Sequence, residues 1–117
     1  MSMQNKSFED LLVWSKSRDF VKVIYITFQD NRNYYFKDQI LRATLSIMNN
    51  IAEGYERDSD KDFRRFLYMA KGSVAEVRSM LYVASDLTFV SRGEFDRLYK
   101  QSLEISKMLG GFIKKLN

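Results

Sequence analysis

From Phe63 to Ala84 the apolar residues Phe63, Phe66, Ala70, Val74, Val77, Leu81 and Ala84 recur only at steps of three and four. A helix places all seven on one side, whereas a strand would scatter them over both faces, so the spacing admits only a helix. Three further stripes share the period: Leu11, Trp14, Val21, Ile24 and Phe28; Phe36, Ile40, Ala43, Ile47 and Ile51; and Phe95, Leu98, Ser102, Ile105, Leu109, Phe112 and Leu116, where only Ser102 is polar. The 117 residues contain no proline and five glycines, so the main helix breakers are scarce.

Local chemistry marks where the helices begin and end. Ser7 with Asp10, Ser59 with Asp62 and Ser91 with Glu94 have capping-box spacing, in which a hydroxyl accepts from the backbone and the carboxylate reaches back. They predict helix one from Ser7 to about Gln29, helix three from Ser59 to about Leu87, and helix four from Ser91. Asp30, Asn31, Arg32 and Asn33 supply the turn before helix two, which should end near Gly54 or fray by Arg57. Residues 1–6 are expected to form a flexible tail and residues 7–117 a single domain. Four amphipathic helices of roughly 20 to 28 residues with short loops predict an all-α, antiparallel up-down-up-down four-helix bundle. Turn signals from Arg57 to Asp60 and from Thr88 to Gly93 argue against one continuous rod.

The chain has no cysteine and no histidine, which removes the commonest zinc and copper ligands and the usual nucleophile and base pairs. No cofactor and no enzymatic activity are therefore expected. No apolar run has the length of a membrane span, so the expected location is the cytoplasm and no membrane partner is expected. A net charge of +4, from 19 basic and 15 acidic residues, allows an acidic partner without requiring one.

Helix two carries polar residues beside its apolar stripe. Arg42, Ser46, Asn49 and Glu53 fall on one row and Gln39, Ala43, Ser46 and Asn50 on the next, while Arg65, Met69, Gly72 and Glu76 line helix three with Ser73 beside them. These rows predict a structural polar cluster of Arg42, Ser46, Asn50, Glu53, Gly54, Arg65, Gly72, Ser73 and Glu76 between the two helices. Gly54, Gly72 and Ala70 would permit close approach there. The favoured role is a network that sets helix register, in which Glu53→Ala should destabilise the bundle. Recognition of a ligand or partner is the second role, and acid–base chemistry by Glu53 and Glu76 the third.

The segments FEDLLVWSKS (Phe8 to Ser17), QILRATLSIMNNIAEG (Gln39 to Gly54) and DFRRFLYMAKGSVAEV (Asp62 to Val77) closely resemble the 23S rRNA-intervening-sequence proteins of bacteria. The combination of Ser46-Ile47, Asn50-Ile51-Ala52-Glu53-Gly54, Arg65-Phe66-Leu67, Ala70, Gly72-Ser73 and Glu76 carries the resemblance, which extends from Phe8 to Leu116. Met48 stands where that family often has proline. The resemblance implies a four-helix bundle without established enzymatic activity, encoded in some bacteria within insertions in large-subunit ribosomal RNA genes. The chain is also similar to the accessory variability determinants of diversity-generating retroelements. That similarity implies a homo-oligomer, a pentamer, with RNA or DNA and a reverse transcriptase as partners.

Lys61, Arg64, Lys71 and Arg78 are the candidate nucleic-acid contacts, with Arg65 among the basic residues of that helix and Arg57 and Lys100 as additions. Asp58, Asp60 and Asp62 lie close in sequence and favour an ordinary solvated face. Lys107, Lys114 and Lys115 suit the negative end of a helix dipole. Tyr34, Tyr35 and Phe36, with Tyr25 and Phe28, are better suited to packing a bundle end or an interface than to stacking on bases, and Trp14 to core or interface. A nucleic-acid-associated oligomeric scaffold is thus the leading expectation, and a protein-interaction module without nucleic-acid binding the alternative.

Overall fold

The computed structural model describes residues 7–117, and the tail expected over residues 1–6 lies outside the described residues. One 3-10 turn, Phe8–Asp10, precedes four helices: α1 Leu12–Phe28, α2 Tyr34–Tyr55, α3 Asp60–Asp86 and α4 Arg92–Lys115. Short loops turn each helix back along its predecessor. α2 packs against α1 and α3, α4 packs against α3 and α1, and the backbones of the diagonal pairs stay apart across the shared core. The result is an antiparallel up-down-up-down bundle 46 Å long and about 20 Å across, with backbone extents of 46 × 21 × 19 Å.

The stripes of α2, α3 and α4 point inward, whereas α1 turns Val13, Phe20, Ile24 and Phe28 to the core and leaves the expected Trp14 and Val21 half-buried at its edge. Phe20, Ile24, Ile40, Ile47, Ile51, Leu67, Val74, Leu81, Leu98, Ile105 and Leu109 are fully buried, and burial of this kind supplies most of the stability of an amphipathic helix. Ser102, the polar residue in the last stripe, is buried as well, and its hydroxyl donates to the Tyr99 carbonyl at 2.6 Å. Ser17 and Thr44 do the same to Val13 and Ile40 at 2.7 and 2.6 Å. Each buried hydroxyl is satisfied within its own helix and needs no partner across the core.

Helix one starts later than its capping signal predicts. The Asp10 carboxylate accepts from the Ser7 N–H at 3.2 Å, but it caps a single turn. Leu11 is then extended, with φ −82° and ψ 125°, and α1 begins at Leu12. The break buries both Leu11 and Val13, which a continuous helix would not place on one side. It also sets Phe8 edge-on against Trp14, 5.1 Å between centroids.

The other starts follow the sequence. The Asn33 side chain accepts from the Phe36 N–H at 3.1 Å to open α2, and Ser59 accepts from the Asp62 N–H at 3.1 Å to open α3. Ser91 and Glu94 complete a reciprocal capping box at 3.1 and 2.8 Å. Rings close both ends of the bundle. Phe28, Phe36 and Phe89 form one chain, with centroids 5.7 and 5.2 Å apart, and Tyr55, Phe63 and Phe112 the other, at 5.5 and 5.2 Å.

The end of α3 carries backbone strain. Thr88 has φ 58°, its N–H donates to the Ser85 carbonyl at 3.1 Å, and the Phe89 N–H donates to the Ala84 carbonyl at 2.8 Å. This is the Schellman arrangement, in which the left-handed position is normally glycine. A β-branched residue there costs roughly 1–2 kcal/mol. Thr88→Gly should therefore stabilise the protein by about 1 kcal/mol, read as a higher urea midpoint with an unchanged slope. A lower midpoint would contradict the strain.

Candidate nucleic-acid interface

The structure brings together only part of the predicted polar cluster. The Ser73 hydroxyl donates to the Ser46 hydroxyl at 2.9 Å across the α2–α3 contact, and Asn50 Nδ2 donates to the Ser46 carbonyl and hydroxyl at 2.8 and 3.0 Å. Gly54 is buried against α3, where a β-carbon would lie 2.5 Å from Phe66 Cβ. The remaining members point away from the contact. Arg42, Glu53, Arg65 and Glu76 are exposed, and a β-carbon on Gly72 would meet nothing within 4 Å.

Glu53 pairs with Arg57 of its own segment at 2.8 Å, and Arg65 Nε lies 3.9 Å from Asp62 while its guanidinium sits over the Phe66 ring at 4.8 Å. These residues lie one row farther round their helices than Ser46, Asn50 and Ser73, so they reach water before they reach the neighbouring helix. The expected charged network across α2 and α3 is not formed. An exposed pair such as Glu53–Arg57 is worth about 0.3–0.5 kcal/mol, so Glu53 does not hold the bundle together.

The opposite flank of α3 is chemically uniform. Positions 61, 64, 68, 71, 75, 78 and 82, again at steps of three and four, carry Lys61, Arg64, Tyr68, Lys71, Ala75, Arg78 and Tyr82, with no carboxylate among them. This row borders α4. Arg64 Nη1 donates to the Leu116 carbonyl at 2.9 Å, and Lys71 Nζ lies 4.0 Å from where a Gly110 β-carbon would be. Asp62 is directed toward Arg65, and Asp60 and Asp62 occupy the first turn of α3, where carboxylates suit the helix dipole. The aspartates that argued for a mixed face therefore gather at one end of it.

Across the groove α4 contributes Lys107 and Lys114. With Lys71, Leu103, Gly110 and Gly111 they line an open depression of about 930 Å³. Glu104 is the carboxylate in that lining, and it pairs with Lys16 of α1 at 3.6 Å. Lys114 and Lys115 do occupy the last turn of α4, as the dipole argument expects. Their role in the groove was not anticipated. The available signal was the seven-residue repeat of Lys100, Lys107 and Lys114, which puts three lysines on one side of α4.

Beyond Arg78 the groove ends in rings. Tyr82 meets Phe95 and Tyr99 edge-on at 5.2 and 5.7 Å, and Phe95 stacks on Tyr99 at 5.5 Å with planes 22° apart. The Tyr82 phenol is pushed above its ordinary value, chiefly by its hydrogen bond with Tyr99.

On the other side of the bundle α1 and α2 form a groove of about 450 Å³ walled by Val21, Tyr25, Ile26, Leu41, Leu45 and the Lys22 side chain, and it presents only apolar surface. Tyr34 and Tyr35 are exposed near its end, whereas Phe36 packs the bundle end as expected. Trp14 is partly buried against Phe8, with Arg18 over its ring at 5.7 Å. Among the described residues no group of three or more acidic side chains could hold a metal ion, and no helix is long and apolar enough to cross a membrane.

A four-helix bundle with one cationic flank and one apolar flank defines the architectural class, and its sequence places it further. Residues 9–111 match the family described as 23S rRNA-intervening sequence protein, and the chain belongs to that family. It is similar to a crystal structure of a protein with unknown function from the S23 ribosomal protein family of Bacteroides thetaiotaomicron, with 26% identity and a TM-score of 0.82. That likeness covers 88% of this chain and 99% of the other. No curated protein matches this chain closely enough to count as a relative.

Proposed function

We propose that the protein is a non-catalytic scaffold that assembles with copies of itself and holds nucleic acid on its α3–α4 flank. The observation that carries this reading is the carboxylate-free row of Lys61, Arg64, Lys71 and Arg78, joined across the groove by Lys107 and Lys114. Phosphate backbones are bound by such cations through counterion release, and several copies in one assembly would multiply the field of a chain whose net charge is only +4. The apolar α1–α2 groove, on the opposite side, supplies a surface for self-association that leaves the cationic flank open. The similarity to the accessory variability determinants of diversity-generating retroelements supports a pentamer and makes a reverse transcriptase a candidate partner, and a cytoplasmic location suits both.

The test is binding of a structured RNA and a single-stranded DNA across a salt series, with assembly mass determined by light scattering in the same samples. The expected result is an oligomer whose log affinity falls linearly with log salt. Reversing Lys71, Lys107 and Lys114 together to glutamate should remove about three phosphate contacts and reduce that slope by roughly 2 to 3. An intact oligomer that binds neither nucleic acid at low salt would instead favour the protein-interaction module, for which the apolar groove is the specific support.

A further inference from the structure

Resting on that reading, we infer that the α3–α4 flank is built for an unpaired nucleic-acid strand, with Tyr68 and Tyr82 as stacking platforms set into the row of phosphate-binding cations. The order along α3 is Lys61, Arg64, Tyr68, Lys71, Arg78, Tyr82, which alternates two cations with one ring twice over. The row spans about 32 Å at 1.5 Å per residue, a length that about nine stacked nucleotides cover at 3.4 Å each. Single-strand binding modules occupy sites of this order.

The two rings are presented differently, and both suit the task. Tyr68 is 57% exposed, makes no ring–ring contact among the described residues, and walls a depression of about 350 Å³ with Lys61, Asp62, Arg64 and Arg65. A base seated there would have a π-face beneath it, and its phosphate would meet Lys61, Arg64 and Arg65 against the single carboxylate of Asp62, which already faces Arg65 at 3.9 Å. Tyr82 is 53% exposed yet held by Phe95 and Tyr99, so a rigid platform remains open to water. A preorganised ring loses little conformational freedom when a base stacks on it. A duplex could use the cations of this row but not the rings, because its bases are already paired and stacked inside the helix. An unpaired strand engages both, each stacked base adding to the electrostatic attraction in a manner tolerant of sequence.

The experiment uses end-labelled 20-nucleotide oligo(dT), the same length of backbone with abasic sites, and a duplex of equal length, titrated by fluorescence anisotropy with the full chain. The expected result is tighter binding of oligo(dT) than of duplex or abasic strand. Tyr68→Ala should weaken oligo(dT) binding about tenfold while leaving duplex affinity, abasic affinity and the salt slope unchanged, and Tyr68→Phe should restore it. Tyr68 is exposed, so its removal leaves the core intact; Tyr82→Leu, which retains bulk against Phe95 and Tyr99, provides the second variant and should also lose affinity for oligo(dT) alone. Duplex bound as tightly as oligo(dT), or oligo(dT) affinity unchanged in both tyrosine variants, would overturn the single-strand inference while leaving the phosphate-binding scaffold standing. Failure of all three probes to bind at low salt would overturn both.

Discussion

Replacing Gly54 with alanine should lower the thermal midpoint by roughly 8 °C, the reverse of what alanine normally does inside a helix. No glycine here has positive φ, so Gly54 is not serving backbone conformation. It serves proximity. A β-carbon would lie 2.5 Å from Phe66 Cβ and 3.1 Å from Phe63 Cδ1. Because Phe66 Cβ is attached directly to the α3 backbone, no rotamer change can withdraw it, and α2 and α3 must move apart. Overpacking of this kind costs about 1–3 kcal/mol, and the better helix propensity of alanine offsets about 1 kcal/mol at most. A β-carbon only 2.5 Å from an atom fixed to the backbone takes the upper end of that cost, so the net loss of about 2 kcal/mol corresponds to about 8 °C for a chain of this size.

Gly72 supplies the internal control. It is also helical, but a β-carbon there meets nothing within 4 Å, so Gly72→Ala should raise the midpoint by a few degrees. Thermal circular dichroism at one protein concentration measures both. Equal shifts in the two variants would show that close helix approach is not what Gly54 provides.

The largest loss is expected for Phe63→Ala. Phe63 is 3% exposed and meets Tyr55 and Phe112 edge-on at 5.5 and 5.2 Å, so one ring ties the end of α2 to α3 and α4. Burying so large a ring and leaving a cavity in its place accounts for about 3–5 kcal/mol in comparable cores, which is 12–20 °C here. Since folded domains are stable by only about 5–15 kcal/mol, this variant should populate unfolded chain well below the wild-type transition. Phe63→Leu retains most of the volume and should lose less than half as much. A Phe63→Ala midpoint within 4 °C of wild type would mean that this end of the bundle is not cooperatively packed.

The bundle itself was legible because its signals are local. Apolar spacing identified the inward faces of α2, α3 and α4 but missed Val13 and Phe20 on α1, and Ser59, Ser91 and Asn33 opened α3, α4 and α2 with side-chain bonds formed to backbone within three residues. The start of α1 was less legible. Ser7 and Asp10 do interact, yet the helix breaks at Leu11 because burial of Leu11 beside Val13 outweighs one more turn of backbone hydrogen bonding. The polar cluster failed in a related way. Sequence spacing groups Arg42 and Glu53 with Ser46, and Arg65 and Glu76 with Ser73, but a difference of one row separates a residue that faces α3 or α2 from one that faces water.

The amino-acid sequence by itself determined the four helices, the inward faces of α2, α3 and α4 and the cationic residues on α3, because helical periodicity sets the direction of each side chain about its own axis. Only the tertiary structure decided what each outer flank borders. It set the basic row of α3 beside α4, where Lys71 approaches Gly110 and shares a groove with Lys107 and Lys114, and it placed the apolar α1–α2 groove on the opposite side. Lys71 is more than 30 residues from Lys107 and Gly110, and the two walls of the apolar groove are 15 to 24 residues apart; these neighbours are joined only by the packing of one helix against another, a choice made by the whole core rather than by any local pattern.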